Sequence, residues 1–115
     1  MKLLYIVSLC VGGWLVVNGI LHDIFILTSE HGKKYDRTLL RLLMDGHILI
    51  TCGIMQLIAA KGLQTNESWG FYVAGTAAIS ILIYCALIFP FLKSMVTIVL
   101  NLSFLVMLVW NYIKL

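Results

Sequence analysis

The sequence predicts an all-α integral membrane protein: an antiparallel four-helix bundle with four transmembrane spans and no soluble domain. Two observations carry that expectation. Hydrophobic residues make up 62% of the 115-residue chain and charged residues 11%, against about 45–50% and about 25% in ordinary globular chains. A chain this short has much surface for its volume, and so few charges cannot keep that surface in water. The second observation is punctuation. Three polar breaks separate four apolar runs, each near the length of about 20 residues that a membrane helix requires. Four such spans use about 80 residues and leave no room for an extramembrane domain. A soluble enzyme, a disordered tail and a nucleic-acid-binding protein are excluded on the same grounds. The net charge of +3 does not reverse this. Half of the basic residues (Lys33, Lys34, Arg37 and Arg41) lie in or beside one short connection, where membrane topology places them.

The first span is Leu3–Leu27. Lys2 before an apolar run is also how a signal peptide begins. This run is about twice a typical h-region and lacks a small-x-small site before a polar start, so it is expected to stay as a span. Thr28–Arg37 is polar, and Thr38–Ala60 is the second span. Lys61–Ser68 separates it from the third, Trp69–Phe89. Pro90 ends that span, because proline has no N–H for the helical ladder. The turn Pro90–Ser94 leads into the fourth span, Met95–Tyr112, so residues 1–115 form one membrane domain. The first and third connections share one membrane face and carry Lys33, Lys34, Arg37, Arg41 and Lys93; the other face has Lys2, Lys61 and Lys114. The positive-inside rule then puts the first and third connections in the cytoplasm and both termini outside.

Converted to depth at about 1.5 Å per residue, the polar side chains gather toward one face. Asn18, His22 and Asp23 stand late in span one, Arg41, Asp45 and His47 early in span two, and Thr97 and Asn101 early in span four. Gln56 is the main exception in the other half. Ionisable groups in a bilayer are costly and face a bundle interior, a partner or a water-filled cavity. A buried polar layer of Asn18, His22, Asp23, Arg41, Asp45, His47 and Asn101 is therefore expected. Arg41 and Asp45, spaced i,i+4, can pair on one helix face, so the layer has a purely structural reading as well as a functional one.

Helical facing limits the functional readings. At about 100° per residue, Arg41, Asp45, Cys52 and Gln56 share a face of span two, and His47 points about 160° away with Met44 and Thr51. A His2Asp2 metal centre from His22, Asp23, Asp45 and His47 then needs a break at Gly46 or a second copy of the chain. The same facing suits His47 to a contact with another protein or protomer. His22 and His47 are also candidate axial ligands of a haem, although no span shows the channel of small residues a porphyrin needs. As catalytic candidates, His22, Asp23, Asp45 and His47 offer acid–base chemistry on a lipid headgroup, with His as proton carrier and Asp as its orienting partner. Cys85 and Ser80 have no adjacent His to activate them. Gly12 and Gly19, together with Gly70, Ala74, Ala78 and Cys85, form small-residue strips suited to close helix packing, and Ser94, Thr97 and Asn101 suit interhelical hydrogen bonds. The three cysteines are expected as small core residues.

Three function classes follow. The leading one is a non-catalytic binding or accessory subunit of a membrane assembly, in contact with the lipid bilayer and with other membrane subunits or further copies of itself. The alternatives are a membrane-embedded enzyme or cofactor protein using the His/Asp cluster, and a proton or ion pathway formed by an oligomer. Whether the chain is an enzyme, and with which cofactor, stays open at this level.

Overall fold

The computed structural model of the protein describes residues 2–90 and 95–114. Lys93 and Ser94, assigned from sequence to the third connection and the fourth-span polar face, lie outside the described residues. Four helices follow one another: α1 (Lys2–Thr28), α2 (Arg37–Gln64), α3 (Ser68–Ile88) and α4 (Met95–Ile113), all long and apolar enough to cross a membrane. They run antiparallel in chain order. α1 packs most extensively on α2, and α4 closes back onto α1.

The helix ends follow from local chemistry. After α1, Ser29 accepts a hydrogen bond from the His31 N–H at 3.3 Å and starts a short 3-10 turn, Glu30–Lys33. Asp36 caps α2, its Oδ1 accepting from the Leu39 N–H at 2.9 Å, which satisfies one of the free donors of the first turn. At the other end α2 runs past Lys61, where the polar break was expected, to Gln64. Packing explains the extension: Gly62 and Leu63 are buried, and a Cβ on Gly62 would stand 2.7 Å from Gly70 Cα in α3. The turn is a Schellman motif. Asn66 takes the left-handed conformation (φ 58°), its N–H donates to Leu63 O, and the Glu67 N–H reaches Gly62 O at 2.9 Å.

The core is built on backbone contact between α1 and α2. A Cβ on Gly19 would lie 2.6 Å from the Gly46 carbonyl oxygen, and one on Gly53 would lie 2.8 Å from that of Gly12. Without a hydrophobic force between helices in lipid, such close approach is what holds them, through dispersion over the whole seam. Gly70, Ala74, Ala78 and Cys85 are buried along α3, and Thr97, Asn101, Phe104 and Leu108 form the buried stripe of α4. Cys52 and Cys85 are core residues as expected, whereas Cys10 is exposed. It stands on the outer side of α1 beside Ile6, Leu9 and Trp14, also exposed, where a small apolar thiol is as compatible with lipid as with a core.

Polar links join the helices. The Ser8 hydroxyl donates to the Gln56 backbone carbonyl at 2.9 Å, and Gln56 Nε2 donates to Ala74 O at 3.1 Å, so one node ties α1, α2 and α3. Trp14 Nε1 donates to Thr97 Oγ1 at 3.1 Å and ties α1 to α4. Tyr72 and Tyr112 pair hydroxyls at 3.0 Å between α3 and α4.

Candidate functional site

α2 supplies a ruler for depth. Of its three exposed bases, Arg37, Arg41 and Lys61, the inner two, Arg41 and Lys61, are 20 residues apart in the sequence, about 30 Å of helix rise and the thickness of a bilayer's hydrocarbon core. In a bilayer whose headgroups are reached by the long basic side chains at both limits, the midplane would fall at Thr51. The contacts of Gly19 with Gly46 and of Gly12 with Gly53 carry that level to Trp14 on α1.

The seven residues expected as a buried layer do not form one. Asn101 alone is buried; Asn18, His22, Asp23 and Asp45 are half-buried, and Arg41 and His47 are exposed. Depth explains much of this. His22 and Asp23 stand about 12–14 Å from the midplane, so they meet the edge of the hydrocarbon rather than its interior. Arg41 marks the boundary itself. Among the described residues it forms no ion pair with Asp45, so the i,i+4 pairing open to it is not made.

What does come together is His22 with Asp23. The Nδ1 and Oδ1 atoms are 3.5 Å apart, the one contact between a basic and an acidic side chain within 4 Å among the described residues, and neither atom has a hydrogen-bond partner. The carboxylate of Asp23 lies against Gly46 of α2, which has no side chain to exclude it. Asp45 is within electrostatic range of both residues, and Tyr84 of α3 is within range of Asp45. Among the described residues, no three His, Cys, Asp or Glu side chains converge closely enough to hold a metal ion. The two histidines named as haem ligands turn to different partners: His22 to Asp23, and His47 to Thr51 on the outside of α2. Asn101 stays within its own helix, Nδ2 donating to Thr97 O at 2.9 Å, with Oδ1 buried and without a partner.

His47 and Thr51 form the second polar feature. Nε2 and Oγ1 are 3.3 Å apart, one helical turn from each other and both exposed. Thr51 is at the midplane and His47 about 6 Å from it. Their neighbours on the same strip are Leu40, Met44, Ile54 and Ile58, each 42–56% exposed. The spacing of the six is four, three, four, three, four, which keeps them on one face of the helix and also fits the a and d positions of a helix–helix seam. Facing angles in the sequence place Met44, His47 and Thr51 on one side of α2, but Leu40, Ile54 and Ile58 were missed, since apolar residues occur on every side of α2 and hide a period. Only the exposures separate the outer strip from the buried one, which includes Leu39, Gly46, Leu49, Gly53, Gln56 and Ala60. Also missed were the Ser8–Gln56 node and the Trp14–Thr97 link, neither of which has a local signal.

Compared with known proteins, the chain matches no family, no curated protein and no solved structure.

Proposed function

We propose that this chain is a multi-pass membrane subunit whose task is assembly: it docks another membrane-spanning helix on the outer strip of α2. The observation that carries this reading is the exposed His47–Thr51 pair close to the bilayer midplane. An imidazole facing hydrocarbon loses its hydration, and polar groups at that depth turn to a partner or a cavity. Within the chain, Thr51 satisfies Nε2 only; Nδ1 has no partner among the described residues. A second helix on the strip supplies that partner and covers Leu40, Met44, Ile54 and Ile58 at the same time. With only short connections among the described residues, contact inside the bilayer is the main surface the chain offers. The excess of Lys33, Lys34, Arg37, Arg41 and Lys93 over Lys2, Lys61 and Lys114 supports a cytoplasmic first and third connection in this reading.

The test is the mass of the protein extracted from its membrane in mild detergent, measured by light scattering with the detergent contribution subtracted. The expected result is a complex heavier than one 12.9 kDa chain, which shifts toward the single chain in His47→Leu. A single chain at every concentration, or a complex indifferent to His47→Leu, refutes the reading.

A further inference from the structure

We infer that the helix docked on α2 is the α2 of a second copy of this chain, in a two-fold dimer with His47 facing His47 across the axis. This rests on the docking reading above and adds the identity of the partner. All copies of one membrane protein insert with the same sidedness, so a two-fold axis between them runs along the membrane normal. Residues at equal depth then meet their own counterparts, as in a parallel coiled coil. The strip fits that arrangement. Leu40, Met44, Ile54 and Ile58 are apolar knobs at heptad spacing, and the polar pair His47 and Thr51 interrupts them at one level only. A single polar level in an apolar seam fixes register and partner number.

The chemistry at that level is self-complementary. A neutral imidazole has one N–H and one bare nitrogen, and a threonine hydroxyl can donate or accept. In one copy, Nδ1 carries the proton and donates across the axis, while its bare Nε2 accepts from Thr51. In the other, Nδ1 is bare and accepts, while Nε2–H donates to Thr51 Oγ1. The 3.3 Å contact between Nε2 and Oγ1 allows both assignments. Every polar atom of the two pairs' rings is then satisfied without any group from elsewhere. The exposed bases Arg37 and Lys61 flank the strip one turn beyond Leu40 and Ile58, at the headgroup levels where like charges are solvated. Competing exposed polar positions on outer faces include Thr76 of α3, whose hydroxyl already donates to the Tyr72 carbonyl of its own helix at 2.8 Å, and Ser103 of α4. Pairing His47 with Ser103 of a neighbour joins two different surfaces and yields a ring or a chain instead of a closed dimer.

The experiment uses the full chain in phosphatidylcholine vesicles, in a Cys10→Ala background because Cys10 is exposed and Cys52 and Cys85 are buried. Under mild oxidation Ile54→Cys is expected to give a disulfide-linked dimer, and Ser103→Cys to give none. Association measured by energy transfer between labelled copies is expected to weaken about three- to twentyfold in His47→Leu, the range of a membrane interhelical hydrogen bond. His47→Asn, which keeps a donor and an acceptor, is expected to retain most of it. Circular dichroism of each variant checks that the helices are intact. No dimer through Ile54→Cys at any protein-to-lipid ratio, crosslinking through Ser103→Cys instead, or full association in His47→Leu overturns the dimer. Counting photobleaching steps in native membranes separates the two readings. One copy inside a larger complex that His47→Leu disperses overturns the second-copy partner and leaves docking standing; an isolated single copy overturns both.

Discussion

Substituting Gly19 by Ala is a direct probe of the α1–α2 seam. The added Cβ would stand 2.6 Å from the Gly46 carbonyl oxygen, 2.7 Å from Ile50 Cγ1 and 3.0 Å from the Ile50 nitrogen. Two of these three are backbone atoms of α2, so no rotamer change removes the clash. Ordinary contact begins at 3.4 Å, which means the helices must part locally by about 0.8 Å, the difference between 3.4 and 2.6 Å. A gap of about 0.5–1 Å forfeits a quarter to a half of the dispersion energy of the atoms that separate. Overpacking of this kind costs about 1–3 kcal/mol. Gly13 supplies the control, because a Cβ there meets nothing within 4 Å. Gly13→Ala and Gly19→Ala make the same chemical change six residues apart in one helix, so the propensity gain of alanine, up to about 1 kcal/mol, cancels between them. The assay is unfolding in mixed micelles of increasing dodecyl sulfate fraction, followed by circular dichroism. Gly19→Ala is expected to be less stable than Gly13→Ala by about 1–3 kcal/mol. Equal stabilities within about 0.5 kcal/mol, the scale on which independent surface changes scatter, refute backbone contact as the seam's basis.

Three further outcomes follow from other parts of the bundle. Asn66 holds φ at 58° in the α2–α3 turn, so Asn66→Gly, which removes the Cβ, is expected to be more stable than Asn66→Ala, which keeps the Cβ and loses the polar side chain, by about 1–2 kcal/mol, the penalty of a Cβ in the left-handed region; the same micelle titration reads the difference, and equal effects contradict the turn assignment. A double-mutant cycle of Trp14→Phe and Thr97→Val should return a coupling near 0.6 kcal/mol and below about 1.7, the range of interhelical hydrogen bonds in a bilayer; zero coupling shows that α4 is not held through this bond. Gln56 is fully buried, and its Oε1 lacks a partner. Gln56→Met, of similar volume, removes that orphan acceptor along with the bond to Ala74, so stability is expected to change by less than about 1 kcal/mol in either direction. A loss above about 2 kcal/mol would mean that Oε1 is satisfied in the membrane, by water or another group.

Legibility from sequence differed between fold and site. The four apolar runs were long, and their breaks held charge or proline, so the helices were plain from composition and spacing. The end of α2 was not. Lys61 reads as a boundary, yet tertiary contact between Gly62 and Gly70 extends the helix to Gln64, and the αL residue Asn66 turns the chain. Spacing gathers the polar residues toward one end of the bundle, but depth along a helix says nothing about which side of it faces inward. Facing angles did separate His47 from Asp45. They left open which of the two looked into the bundle, because span two is apolar all round and gives no inner face to measure from.

The sequence by itself determined that this chain consists of four apolar helices joined by short connections, since length and hydropathy are local properties that need no partner. Its glycines could be seen as a strip on α1, but their counterparts Gly46 and Gly53, and the 2.6–2.8 Å contacts between them, exist only in the packed hairpin. Likewise, tertiary structure alone decided that Asn101 faces the core, that His22 meets Asp23, and that His47 and Thr51 look outward. In lipid the hydrophobic effect does not choose which apolar face of a helix turns inward. That choice falls to shape, through glycine-to-backbone contact, and the outward strip of α2 is what this choice left uncovered.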